Sequence, residues 1–545
     1  MRRTLIAFLL LLVFVPFQGW CAAPKFYDDD PVWVEPSTQD ASGAKPWEID
    51  LFYDFLENMF SHPGDPAVNL RAKNVNTVDE VPDSAWFTNR AGMKPLTAED
   101  VAKGPDQTKG PADGIWTVIR AKNDGVTPGF TIKDTNGVVW FIKFDPPGYP
   151  AMATGSEVVV TNLLWALGYN VPENHISRLI PKNLVIAPGT KITPPSGKKR
   201  QMKLSDISTL LRKADEEKDG TYRVIASKAL EGGVLGGFRF YGTRLDDPND
   251  LIPHEHRREL RGDVVFAAWF DHVDCKAINS LDTLVKENGK IVVRHNLLDF
   301  GSALGSGGLY PRDYWEGYEY LYEGPPAIGK DLIAFGFKVE PWRTLKMYES
   351  KSIGRLPLDN TKWDPEKWVP RIPNPAFLRA RPDDKFWAAE KATAITDDMI
   401  RAAVKQGQFN DPKSEEFLVK ALIDRRDAIL RAYLPAINPV TSPSLDASGT
   451  LTFTNAAVKA GVAQKAQSYQ AVWYRFDNAT GASTNIGTTT AATESISAPA
   501  GISGDFIRVD ISAVSAQHPT WNRPVQAYFR SDNGGWKLVG FERMP

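Results

Sequence analysis

Two short polar motifs bracket a hairpin near the middle of this chain. The first is His272-x-Asp274-x-Lys276-x-x-Asn279, and the second is Asp299-Phe300-Gly301, twenty residues beyond Asn279. Two strand-like runs lie between them, joined by Glu287-Asn288-Gly289. An Asn-Gly pair tolerates positive φ and turns a chain back on itself. A hairpin returns its two ends to one place, so Asn279 and Asp299 are expected side by side, close to Asp274 and Lys276.

A second pattern lies upstream. Trp116 to Ala121 alternates like a strand, Lys122 to Gly129 is a turn-rich loop with Gly125 and Gly129, and Phe130 to Lys133 reads as a second strand. Asp134-Thr135-Asn136-Gly137 signals a hairpin into a third strand, Val138 to Phe144. Helical periodicity then runs from Gly155 to Leu167 and stops at Gly168. Lys143 falls at the end of the third strand and Glu157 on the helix fourteen residues later, where the two can pair. Taken singly, Lys143 is an edge-strand lysine, Glu157 a solvated helix residue, and Asp274, Asn279 and Asp299 turn formers. Their joint order separates the readings.

In that order the motifs resemble the protein-kinase superfamily. The resemblance spans roughly Trp116 to Leu434 and implies an α+β, two-lobed fold. It implies that Asp274 orients the attacking hydroxyl and accepts its proton, and that Lys276 supplies a cation near the transferring group. Asn279 and Asp299 would hold Mg2+ or Mn2+. Lys143, steadied by Glu157, and the loop glycines Gly125 and Gly129 would hold ATP. Two departures matter. The loop is not Gly-x-Gly-x-x-Gly, and no Ala-Pro-Glu follows Asp299-Phe300-Gly301; an aromatic run from Tyr310 to Tyr322 stands there instead. The chain therefore looks more like the atypical branches: HipA-like, CotH-like and secretory-pathway kinases. The activity implied is phosphoryl transfer to a protein or a small hydroxyl-bearing acceptor. AMP transfer on the same fold and a non-catalytic exported binding protein stay open, because fold does not settle function.

The rest of the chain frames this region. Arg2, Arg3 and the apolar run Leu5 to Phe17, followed by Cys21-Ala22-Ala23, read as an export signal over residues 1–23. The run is too short for a comfortable membrane span, so the mature chain is expected to have none. Trp20 fits a lipoprotein site at Cys21 poorly. Export implies the periplasm, the cell envelope or the outside of a bacterial cell, and with Cys275 the only cysteine left, no intrachain disulfide. A net charge of −2 gives no general case for a nucleic-acid partner. Residues 24–112 read as an N-terminal extension, with helical spacing over Trp47 to Phe60. Residues 113–230 and 231–434 are the expected lobes, with helices over Leu204 to Lys213, Glu255 to Phe270 and 384–434. Pro435 to Pro443 reads as a linker. The Thr-, Ser- and Gly-rich tail, 444–545, alternates like a separate β-sandwich.

Overall fold

The computed structural model describes residues 23–67, 69–122, 127–194, 197–322 and 340–544. Residues 1–22 of the expected leader, with Cys21, and the loop glycine Gly125 lie outside them. No helix among the described residues is long and apolar enough to cross a membrane.

The extension is mostly irregular chain with two short helices, α1 (Leu51–Leu56) and α2 (Ala98–Lys103). Asp50 caps α1 by accepting from the N–H groups of Phe52 and Tyr53, and Thr97 with Asp100 forms a capping box for α2. The periodicity over Trp47 to Phe60 is thus only partly α-helical; past Leu56 the chain widens into a π turn, Glu57–Ser61.

The first lobe holds β1 (Trp116–Ala121), β2 (Gly129–Lys133), β3 (Val139–Phe144), α3 (Met152–Leu167), β4 (Asn174–Leu179), β5 (Leu184–Ile186), β6 (Lys191–Ile192), β7 (Arg200–Gln201), α4 (Leu204–Leu211) and β8 (Tyr222–Lys228). Six strands form one sheet in the order β4-β8-β3-β2-β1-β5, with β1 and β5 parallel and the other pairs antiparallel. Period-two alternation puts Trp116, Val118, Phe130, Ile132, Trp140, Ile142 and Phe144 into one buried core. Asp134 closes the β2–β3 hairpin: its carboxylate accepts from the N–H groups of Asn136 and Val138 (both 2.9 Å) and from Trp140 Nε1 (3.0 Å).

The second lobe begins with β9 (Gly233–Gly236) and α5 (Arg258–Phe270), then the hairpin β10 (Ser280–Glu287) and β11 (Lys290–Leu297). The helix expected from Glu255 is broken at Arg257, which is extended (φ −89°, ψ 127°). After a small β12 (Met347–Ser350) and β13 (Gly354–Pro357) hairpin come α6 (Pro375–Leu378), α7 (Pro382–Ala392), α8 (Asp397–Gln406) and α9 (Pro412–Tyr433). The extension is stitched to this lobe by buried charge: Arg258 on α5 meets Asp79 at 2.9 Å and Asp383 and Asp384 at 3.1 Å each.

The tail forms a three-stranded and a five-stranded sheet from β14 (Val440–Leu445), β15 (Thr450–Asn455), the short α10 (Ala456–Lys459), β16 (Ser468–Phe476), β17 (Ser483–Ala491), β18 (Ser495–Ser497), β19 (Phe506–Val514), β20 (Val525–Asp532) and β21 (Gly535–Glu542). The stretch read as linker therefore already contains the start of β14. Alternating residues such as Trp473, Ile507, Val509 and Phe529 are fully buried between the sheets. Their core is continuous with that of α5, α7, α8 and α9. The architecture is α+β, with two lobes and a β-sandwich.

Candidate functional site

The site is assembled where β3, α3 and the β10–β11 hairpin converge. Lys143 pairs with Ile225 on β8 and with Gly129 on β2. Gly129 is required there: a Cβ on it would stand 2.3 Å from the backbone oxygen of Ile142. Helix α3 begins three residues earlier than its periodicity suggests, because Asp145 caps it from the end of β3. The Asp145 carboxylate accepts from the N–H groups of Ala151, Ala153 and Thr154 (2.9 Å each) and from the Thr154 hydroxyl (2.7 Å). One residue thereby fixes α3 relative to the strand that carries Lys143.

That coupling sets the ion pairs. Lys143 Nζ lies 3.3 Å from Glu157 Oε2 and 2.9 Å from Asp299 Oδ1. Glu157 is 2% exposed and Lys143 19%, while the Asp299 side chain is 45% exposed. Burial opposes the Lys143 ammonium, but the Asp299 and Glu157 carboxylates outweigh it and its pKa is raised. Asp299 is held low by Lys143 against the pull of its sheltered position, and burial pushes Glu157 up. Helix α3 also grips the chain after Asp299: the Ser156 hydroxyl lies 2.9 Å from the carbonyl oxygens of both Phe300 and Ala303. Phe300 is buried and meets the His272 ring edge-on at 5.4 Å. Burial pushes His272 down to about 4, so it is neutral near pH 7 and serves as packing beneath the site.

On the other side, α5 ends at Asp271, whose left-handed conformation (φ 53°) turns the chain into the loop 272–279. Asn279 Nδ2 donates to Asp274 Oδ2 at 3.0 Å and to the Asp274 carbonyl at 2.9 Å. Lys276 Nζ lies 2.8 Å from Asp274 Oδ1. Burial would raise Asp274, but Lys276 and Arg371 hold it below its ordinary value. The hairpin is fully registered from Ser280↔Leu297 to Glu287↔Lys290, and Leu298 N–H donates to the Asn279 carbonyl at 2.9 Å. Asn279 is thus tied to the residue that precedes Asp299.

Lys143, Glu157 and Asp299 form one cluster, and Asp274, Lys276 and Asn279 a second. The hairpin joins the two. Gly129 lines the sheet opposite Lys143. Three contributors carry no motif: Asp145, Arg371 and Lys122. Lys122 donates to the Thr127 carbonyl at 3.1 Å, and its charge also favours ionised Asp299. A periodic pattern cannot mark such residues; Asp145 stands one place after β3 and seven before the first residue of α3.

Asn279 spends its amide nitrogen on Asp274, which leaves Oδ1 as the oxygen it could offer to a metal. That oxygen and the open Asp299 carboxylate are hard donors suited to Mg2+ or Mn2+. Among the described residues, Asp106, Glu173 and His175 also gather within ligand distance at the edge strand β4. There, however, Lys228 (2.7 Å) and the Thr108 hydroxyl (2.8 Å) already satisfy Glu173.

No protein-family model matches the chain, and no curated protein matches it. Among solved structures it is similar to the Helicobacter pylori proinflammatory kinase CtkA, at 14% identity and a TM-score of 0.30, over 57% of this chain and 92% of that one. At that overlap the likeness assigns no role to any residue here.

Proposed function

We propose that the chain is an ATP- and metal-dependent phosphotransferase acting on a hydroxyl-bearing acceptor. The observation that carries this reading is Lys143 held between Glu157 and Asp299 at 3.3 and 2.9 Å. A half-buried lysine held between a buried carboxylate and a more exposed one supports a phosphate-holding role. Glu157 sets the direction of the ammonium, and Asp299, whose Oδ1 meets Lys143, would offer Oδ2 to a cation against the same phosphates. Bound Mg2+ or Mn2+ would neutralise phosphate charge. Asp274 would accept the hydrogen bond of the acceptor hydroxyl, and Lys276 would turn from Asp274 towards the transferring group. An Asp274 held low is ionised at neutral pH and ready to accept that bond.

The test separates binding from chemistry. Asp299→Ala is expected to abolish magnesium-dependent nucleotide binding, because phosphate charge is left unneutralised. Asp274→Ala is expected to keep that binding and lose turnover, since a group acting on the attacking atom affects only the chemical step. Label transferred from the γ-phosphate supports the reading, whereas label from the α-phosphate would make the enzyme an AMP transferase. Equal binding by parent and both mutants, with no transfer, would make it a non-catalytic module. Export belongs to the same proposal and is checked by sequencing the N-terminus of the mature chain; an intact residue 1 would remove it.

A further inference from the structure

The segment after Asp299-Phe300-Gly301 lacks the Ala-Pro-Glu anchor, yet it is firmly docked. Leu304 N–H donates to the Phe270 carbonyl (2.8 Å), and Arg312 Nε reaches Asp271 at 2.8 Å. Gly317 then bridges to Val369, and Leu321 N–H donates to the Arg371 carbonyl at 2.7 Å. Arg371 N–H in turn donates to the Val273 carbonyl at 2.8 Å, on the residue before Asp274. The segment 312–321, the strip 368–371 and the loop 271–274 are therefore laced together by their backbones.

One side chain runs through this lacing. Arg371 Nε pairs with Glu316 Oε1, while its Nη1 lies 3.6 Å from Asp274 Oδ1. Glu316 is itself fixed: it is 4% exposed, its Oε2 accepts from Asp313 N–H at 2.8 Å, and its carbonyl accepts from Arg312. Asp274 thus has two cations on one oxygen, Lys276 at 2.8 Å and Arg371 behind it, with Asn279 on the other oxygen. If Lys276 turns to the phosphoryl group during transfer, Oδ1 loses its nearer cation. Arg371 cannot leave in the same way, because Glu316 holds the other edge of its planar fork. A planar guanidinium anchored at Nε keeps its charge on a fixed side of Asp274.

We propose that Arg371 is a positioning residue that, anchored by Glu316, makes the orientation of Asp274 depend on docking of the 312–321 segment. This rests on the phosphotransferase reading and adds its control: undocking Glu316 would release Asp274 without touching the nucleotide-holding cluster of Lys143, Glu157 and Asp299.

The test uses the full chain, γ-labelled ATP with magnesium, and single-turnover autophosphorylation. Arg371→Met is expected to slow transfer roughly 10- to 100-fold, as small misplacements of reacting groups do, while nucleotide affinity stays within about twofold. Arg371→Lys should recover part of that loss, and Glu316→Gln should fall between. The exchange Arg371→Glu with Glu316→Arg restores the anchoring pair but puts a carboxylate beside Asp274. It should stay slow if Arg371 acts on Asp274 and recover if the pair is only a structural tie, which would overturn the proposal. A thermal-midpoint cycle of Arg371→Met with Asp274→Asn reads the contact without any turnover: the Arg371→Met shift should shrink by at least about half once Asp274 is neutral. Additive shifts overturn the proposal. Coupled shifts in a parent that transfers no phosphate would instead overturn the phosphotransfer reading and leave the contact supported.

Discussion

Removing the Asp145 carboxylate should damage both stability and nucleotide binding, because this one buried group joins β3 to α3. Asp145 is 1% exposed, accepts three backbone N–H groups and one hydroxyl, and faces Arg223 at 3.5 Å. Breaking a buried ion pair costs about 3–5 kcal/mol, and losing an N-cap about 1–2 kcal/mol. The two overlap, since the same oxygens serve both. Arg223 also keeps the carbonyls of Gly407 and Gln408 at 2.5 and 2.8 Å, so it is not left wholly unpaired. Asp145→Ala is therefore expected to cost about 4 kcal/mol. Asp145→Asn keeps an acceptor oxygen for the helix and should cost about 1–2 kcal/mol. Urea unfolding followed by tryptophan fluorescence measures both. Because the start of α3 sets Glu157 against Lys143, magnesium-nucleotide affinity should fall about tenfold in Asp145→Ala. A loss of under 1 kcal/mol in Asp145→Ala, or equal losses in the two variants, would refute the capping argument.

Three further outcomes follow from the same geometry. Gly129→Ala forces a Cβ to 2.3 Å from the Ile142 backbone oxygen, so it should cost about 1–3 kcal/mol and weaken nucleotide binding, with chemical denaturation and titration as the readouts. Phe26→Ala empties a site that is 4% exposed among Phe476, Phe506 and Tyr528; about 3–5 kcal/mol should be lost in the denaturant midpoint. His272 is depressed to about 4 against 6.5 when unfolded, so between those values the unfolded chain binds more protons. Its contribution is complete above pH 6.5 and falls on acidification, levelling near pH 4, with a slope approaching 1.4 kcal/mol per unit. His272→Gln should remove that slope from a stability–pH curve; an unchanged slope places the titration elsewhere.

The sequence made the convergence of Lys143 with Glu157 legible, because a strand end followed by a helix at a fixed interval restricts where the second residue can point. The Asn-Gly turn likewise announced the β10–β11 register, and with it the backbone tie between Asn279 and Leu298. Asp145 and Arg371 escaped for different reasons. Asp145 caps a helix from six residues away through a reversed chain, so no Ncap position reveals it. Arg371 meets Asp274 across 97 positions, and nothing in the chain around it distinguishes it from the neighbouring Arg379 and Arg381. The packing of the extension was not legible at all. Asp79 and Trp86 are buried against the second lobe, with Trp86 stacked on His295 at 3.5 Å. Polar and aromatic residues without a period can still be core when the partner surface supplies the regularity.

The sandwich also has a debt in time. Lys25 Nζ meets Glu542 at 2.7 Å and donates to the Tyr528 hydroxyl, and the Phe26 ring fills the space over Gly540. Lys25 and Tyr528 are separated by 503 positions along the chain. At typical synthesis rates of about 5–20 residues per second, the first of these residues waits roughly half a minute to two minutes for its partner to exist. During that interval Phe26 is exposed on a growing chain while both lobes can already fold. The cover over Phe26 is thus completed only by β19, β20 and β21, and a chain stalled before β19 would leave that ring without Phe506, Tyr528 and Gly540 against it.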